Sequence, residues 1–200
     1  MSEILFLNIN GPDHPGITAS FTQALARHSV NILDIDQAVT HDFLSLGMSL
    51  EIPDGESAAP ILEELEALAA EQGVKIWSTP IRLDDYEHWV AQQGQPRYIV
   101  TLLGRKLSAA NIAHVAEVAA RYGVNIDMLR RLSGRFPLVH RGAGEDSLRA
   151  CVAFSLRGRV GDPESLRNDL LAITRDDEVD LSFQEDNLYR CLLYTSDAAD

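Results

Sequence analysis

Hydrophobic positions along the chain change period in a fixed order, and the order occurs twice. Ile4 to Ile9 is a nearly unbroken apolar run, the signature of a strand buried at the centre of a sheet. From Ile17 the spacing becomes helical, with Ile17, Phe21, Ala24, Leu25 and His28 along one face. Ile32–Thr40 returns to strand character. Leu44, Leu46, Met48, Leu50 and Ile52 then alternate with Ser45, Gly47, Ser49 and Glu51, which predicts a strand with one buried face. A second helix follows, with Ser57 as N-cap, Pro60 in its first turn and Ile61, Leu62, Leu65, Leu68 and Ala69 facing inward. Val74–Trp77 closes the unit as a strand.

The second half repeats this order. Tyr98–Leu103 reads as a strand, and Ser108 caps a helix whose face is Ile112, Val115, Ala116 and Ala119. Asn125–Leu132 is a strand, and Val152, Phe154 and Leu156 alternate with Cys151, Ala153, Ser155 and Arg157. Asp162-Pro163 supplies an N-cap followed by proline at the first helical position. Leu166, Leu170 and Ile173 form that helix's apolar face, and Val179, Leu181 and Phe183 mark the last strand. Arg27-His28-Ser29-Val30-Asn31-Ile32 returns as Arg121-Tyr122-Gly123-Val124-Asn125-Ile126, so the repeat is visible in identities as well as in pattern. The fold class is α+β: two ferredoxin-like βαββαβ domains in tandem, each an antiparallel sheet with its helices on one face. The first domain is residues 1–83, the second 97–190, and 84–96 is a linker that includes a short helical piece. The uncovered face of each sheet needs water, a partner domain or a second chain.

Composition narrows the function. No stretch approaches the roughly 20 apolar residues that cross a bilayer, and Met1-Ser2-Glu3 does not begin a signal peptide, so a cytoplasmic protein without membrane association is expected. The net charge of −13 is uneven: residues 1–96 carry 3 basic and 15 acidic side chains, whereas residues 97–175 carry 13 and 7. The basic residues are scattered arginines without interleaved aromatics, and Arg130, Arg131, Arg135 and Arg141, their densest run, read as a solvated face. Nucleic acid is therefore not an expected partner. Two cysteines and six histidines show no paired metal-ligand spacing, and no nucleophilic triad can be built, so neither a metal site nor catalytic residues are assigned.

The segment with chemistry is the turn between the first strand and first helix: Gly11, Pro12, Asp13, His14, Pro15, Gly16 and Ile17. Two glycines let a ligand approach the main chain, two prolines stiffen the path, and Asp13 is expected to cap the helix. The free amides of that first turn favour a carboxylate or phosphate. Charge-assisted hydrogen bonds to two or three amides, at about 1.5–3 kcal/mol each, would give micromolar to millimolar affinity for a small amino acid after binding costs. In the second repeat the same place reads Gly104-Arg105-Lys106-Leu107-Ser108, without that pattern.

The Gly-Pro-Asp-His-Pro-Gly turn resembles the ligand loop of ACT domains, small amino-acid sensors of metabolic enzymes. Asn31–Val39, Ile99–Leu103, Arg131–Arg135, Phe154–Gly158 and Phe183–Asp186 resemble the N-terminal half of bacterial phosphoserine phosphatases. The resemblance implies a small amino-acid ligand, serine in that family, a homodimer, and a C-terminal phosphatase domain of haloacid-dehalogenase type missing from this chain. That domain would hold Mg2+ and open with Asp-x-Asp-x-Thr/Val; no cofactor is implied for residues 1–190. Asp34-Ile35-Asp36-Gln37-Ala38 lacks the last element of the motif and reads as carboxylates on the exposed face of a strand. Cys191–Asp200 resembles a translated sequencing-library adapter, an artefactual tail excluded from fold reasoning. The alternative is a free-standing two-domain sensor similar to the glycine cleavage repressor.

Overall fold

The computed structural model describes residues 3–134, 149–172 and 179–186. It forms two compact units, Met1–Ala91 and Gln92–Asp200. The first runs β1 (Glu3–Pro12), α1 (Ile17–Arg27), β2 (Asn31–Thr40), β3 (Phe43–Ile52), α2 (Ala58–Gln72), β4 (Lys75–Ile81) and most of α3 (Leu83–Gln93). Its antiparallel sheet has the order β2-β3-β1-β4, so the apolar β1 is central, as its composition requires. Leu5, Leu7 and Ile9 of β1 point to the same side as Leu44, Leu46, Met48, Leu50 and Ile52 of β3, and all are buried. Phe21 and Leu25 of α1 and Ile61 and Leu65 of α2 complete this core. Each such side chain contributes about 1.5–3 kcal/mol by leaving water.

Local signals set the helix ends. Ser57 begins α2 by accepting from the Ala59 amide at 3.3 Å. Gly73 ends it in the left-handed region at φ 69°, the conformation that closes a helix and that glycine adopts without strain. Strand β2 holds a bulge between Ile32 and Asp34. The extra residue puts both Ile32 and Ile35 on the core side of the strand and turns Asp34 and Asp36 to the open face, opposite Ser49 and Gly47. There they line a depression of about 200 Å3 with Phe6, Asn8, Ala38 and Ser45. Asp34 and Asp36 are thus exposed strand carboxylates.

In the second unit β5 (Arg97–Gly104), α4 (Ala109–Arg121), β6 (Asn125–Arg131), β7 (Ala150–Arg157), α5 (Pro163–Ala172) and β8 (Val179–Asp186) repeat the topology as β6-β7-β5-β8. The bulge recurs between Ile126 and Met128. Tyr98, Val100, Phe154, Leu156, Val115, Leu166 and Leu170 are central to its core. Asp162 begins α5 by accepting from the Glu164 amide at 3.1 Å and the Ser165 hydroxyl at 2.6 Å, and these bonds hold its carboxyl below the ordinary value.

Several expectations are corrected. The helical piece expected within residues 84–96 is longer than read: it is the eleven-residue helix α3, whose Tyr86 and Trp89 rings lie 5.8 Å apart. Strand β4 continues to Ile81. In β7 Ala153 and Ser155 are buried as well as Phe154 and Leu156, so burial there does not follow the alternation. They share their side of the sheet with Arg97 and Arg157, which hold Asp127 at 3.7 and 3.0 Å in a largely buried ionic group. Cys151, expected as a buried and inert strand residue, is half-buried. Arg135, Arg141, Ile173, Cys191 and the tail lie outside the described residues.

Candidate ligand-binding site

The β1–α1 turn sits where three chain segments meet. Gly11 and Pro12 are not loop residues: they continue β1, paired with Leu44 and Phe43 of β3. Gly11 is buried because the strand passes directly over Val74, just before β4. A Cβ at Gly11 would stand 2.8 Å from the Val74 Cγ1 and 2.9 Å from its Cα, so packing, not ligand approach, demands glycine here.

Asp13 does not cap α1, contrary to expectation. Its amide instead donates to the Asp42 carbonyl at 2.8 Å, in the turn between β2 and β3, and the helix begins three residues later. The N-cap is Gly16, at φ 104°, with open space where a Cβ would stand and no side chain capping the helix. The first amides of α1 have no intrahelical partner by construction, and the positive end of the helix dipole lies there. Pro15 and Gly16 are exposed while Ile17, the first helical residue, is anchored in the core at 1% exposure.

His14 is exposed and reaches the other neighbour. Its Nε2 lies 3.1 Å from the carbonyl of Gln72, the last residue of α2, and its Nδ1 3.3 Å from the Pro15 carbonyl. The Gln72 carbonyl, then the Pro15 carbonyl, hold the imidazole above its ordinary value; slight burial opposes them and the Asp13 carboxylate adds to them. Beside the helix start, the Thr18 hydroxyl donates to the Gln37 side chain on β2 at 2.7 Å. The turn therefore offers uncapped amides bordered by the acidic residues Asp13 and Asp42. Pattern alone did not reveal Gln37, Asp42, Gln72 or Val74 as neighbours, since contacts across 19 or more residues leave no local signal.

The matching turn of the second unit has the same length but different chemistry. Ser108 occupies the cap, its hydroxyl accepting from the Asn111 amide at 3.3 Å while the Asn111 side chain takes the Ser108 amide at 2.7 Å. This capping box closes the helix end that α1 leaves open.

Models of the ACT domain match residues 3–78 and 97–184. The chain is a tandem pair of ACT domains. ACT domains generally bind small amino acids and often dimerise. The pair is homologous to the N-terminal region of phosphoserine phosphatases. It is 30% identical over 129 residues to phosphoserine phosphatase SerB2 of Mycobacterium tuberculosis, a match covering 64% of this chain and 31% of that protein. It is 30% identical over 138 residues to the phosphoserine phosphatase of Streptomyces coelicolor, covering 67% and 31%. The matched segments thus span about a third of these relatives' lengths. A crystal structure assigned as a glycine cleavage system transcriptional repressor superposes with a TM-score of 0.64 at 16% identity, over 92% of this chain and 98% of that one, a likeness of fold alone. No described helix of the ACT pair is long and apolar enough to cross a membrane.

Proposed function

We propose that this ACT pair is the amino-acid-sensing region of a phosphoserine phosphatase, and that its first domain takes a small amino acid, serine, at the turn formed by Asp13, His14, Pro15, Gly16 and Ile17. The observation that carries this reading is the contrast between the two helix starts: α1 opens on Gly16 without a side-chain cap, whereas Ser108 and Asn111 close α4. A zwitterion suits the surroundings better than a bare anion. Its carboxylate meets the α1 amides, and its ammonium group suits a turn that carries the Asp13 carboxylate, where a phosphate would meet repulsion.

Sensing acts on a separate phosphatase domain that hydrolyses O-phosphoserine with Mg2+, within a homodimeric cytoplasmic enzyme of serine biosynthesis. Mg2+ is assigned to that other domain. The length of the phosphoserine phosphatase relatives supports this arrangement. Ligand binding in the first ACT domain alters domain and dimer contacts and so biases the attached enzyme.

Calorimetric titration of the chain with serine, glycine and other small amino acids tests the site. Serine is expected to bind in the micromolar to millimolar range, and Gly16→Val to abolish the heat, because a branched side chain cannot hold φ 104° and would cover the amides. Unchanged binding in a folded Gly16→Val chain refutes the site. Reading the gene beyond codon 190 tests the enzyme: an in-frame Asp-x-Asp-x-Thr/Val motif supports it, and a natural stop codon favours a free-standing sensor.

A further inference from the structure

Both ring nitrogens of His14 face oxygens that only accept. Nε2 lies 3.1 Å from the Gln72 carbonyl and Nδ1 3.3 Å from the Pro15 carbonyl. A neutral imidazole carries one N–H, so one of these contacts would set a nitrogen lone pair against an oxygen lone pair. An imidazolium donates to both. The geometry points to a latch: protonated His14 pins the β1–α1 turn to the C-terminal end of α2, and its release with rising pH loosens the turn and weakens amino-acid binding there. The proposal rests on the turn being the ligand site.

The groups around the ring agree in sign. From α2 comes the Gln72 carbonyl, at the negative end of that helix's dipole. From its own loop come the Pro15 carbonyl and the Asp13 carboxylate. Gln72 is the final residue of α2, so its carbonyl has no intrahelical partner, and His14 supplies the donor it lacks. The other tether of the turn, from the Asp13 amide to the Asp42 carbonyl at 2.8 Å, joins two groups that do not titrate. Protonation of His14 thus governs one of two attachments and leaves the second in place.

Positive charge on His14 also lies two residues from the helix start where the ligand's carboxylate is placed. Linkage then requires reciprocity: a bound carboxylate raises the affinity of His14 for its proton by the factor by which the proton raises the affinity for the ligand. Serine keeps one charge state between about pH 5.5 and 8, the range in which histidine titrates, so the dependence reports on the protein. Because the ring is exposed, the expected loss of affinity across that range is roughly fivefold, at the low end of measured couplings.

The test is an NMR pH titration of the whole chain that follows the His14 ring and the amides of Asp13, Gly16 and Gly73, alone and in excess serine, with calorimetry at both ends of the range. The latch predicts a ring midpoint above 6.5, amides that shift with the same midpoint, a further rise in serine, and a roughly fivefold weaker affinity at high pH. In His14→Gln, which can donate one hydrogen bond but carries no charge, the amide shifts and the pH dependence should vanish. A ring midpoint at or below the ordinary value, silent amides, or serine binding equally at every pH overturns the latch. A ring and amides that titrate together in a chain that binds no amino acid at any pH support the latch and refute the ligand site.

Discussion

Gly11→Ala separates packing from ligand contact. The added methyl would stand 2.8 Å from the Val74 Cγ1, 3.0 Å from its Cβ and 2.9 Å from its Cα, where carbon atoms rest at about 3.5–4.0 Å. Rotating the valine side chain relieves the first contact and not the others, so one backbone must move by about 0.6 Å or more to reach that spacing. Neither is free to do so. Gly11 is paired with Leu44 in the middle of the sheet, and the Val74 amide is tied to the Ala69 carbonyl at 3.0 Å. Overpacking of this kind costs about 1–3 kcal/mol. Each kcal/mol lowers the melting temperature of a domain this size by roughly 4–8 °C. Trp77 and Trp89 are the chain's two tryptophans and both lie in the first unit, so their fluorescence during urea unfolding reads this domain. Serine binding to the folded variant, well below its transition, should be unchanged. A Gly11→Ala chain as stable as the parent refutes the packing argument, and one that stays folded but no longer binds returns Gly11 to the ligand site.

Gly16→Ala should cost about 1–2 kcal/mol through backbone strain alone, since nothing crowds the position; a variant unfolding at the same urea concentration as the parent contradicts the φ of 104°. Glu64 holds Arg27 and His28 across the two helices, and these bonds keep its carboxyl below the ordinary 4.5. Its contribution is therefore full above that pH and lost as pH falls through the lower folded value. Parent and Glu64→Gln should accordingly differ in melting temperature at neutral pH and converge in acid, and a gap that widens in acid refutes the assignment. Ser108→Ala should cost about 0.5–2 kcal/mol by circular dichroism in urea, because it removes the hydroxyl that accepts from the Asn111 amide and caps α4. Asp127→Ala should cost more, about 3–5 kcal/mol, because it leaves the Arg97 and Arg157 charges largely buried without their shared carboxylate; hydrogen exchange at β5 and β7 measures it, and unchanged protection contradicts the ionic group's role.

The tandem ACT architecture was legible because most elements meet water on one side only. Strand β3 alternates cleanly since its outer side chains are polar and its inner ones fill the core, and the identities around Arg27 and Arg121 fix the repeat. Strand β2 was legible as a strand, with Asp34 and Asp36 on its exposed face, but its bulge was not, because no residue type announces the inserted residue that puts both Ile32 and Ile35 on the core side. Asn111 was unreadable as a buried residue for a related reason: a polar side chain becomes a core residue only when the Ser108 cap satisfies it. In the β1–α1 turn, the residue types were visible while their duties were not. Asp13 has the chemistry of a cap, yet it stands three residues ahead of the N-cap position, with its amide donating to the Asp42 carbonyl, a partner that sequence spacing does not specify. The helix therefore starts at the one residue, Gly16, that can turn through a left-handed conformation and leave its amides open.

The same Arg-ring-carboxylate arrangement closes the helix pair in both ACT domains. Arg27 and His28 meet Glu64 in the first, and Arg121 and Tyr122 meet Asp169 in the second, where the tyrosine hydroxyl donates at 3.0 Å. Two domains that share this clasp, their sheet order and their bulge nevertheless differ at the start of the first helix. On the proposed reading, that difference gives sensing to the first domain and leaves the second as its structural companion.

Amide NMR spectra of the chain recorded as serine is added test that claim most directly. The account predicts shifts confined at first to Gly16, Ile17 and Thr18 and their neighbours Asp13 and Asp42, with Ser108 to Asn111 unmoved. Shifts centred on the second domain, or none at any concentration into the millimolar range, would contradict it.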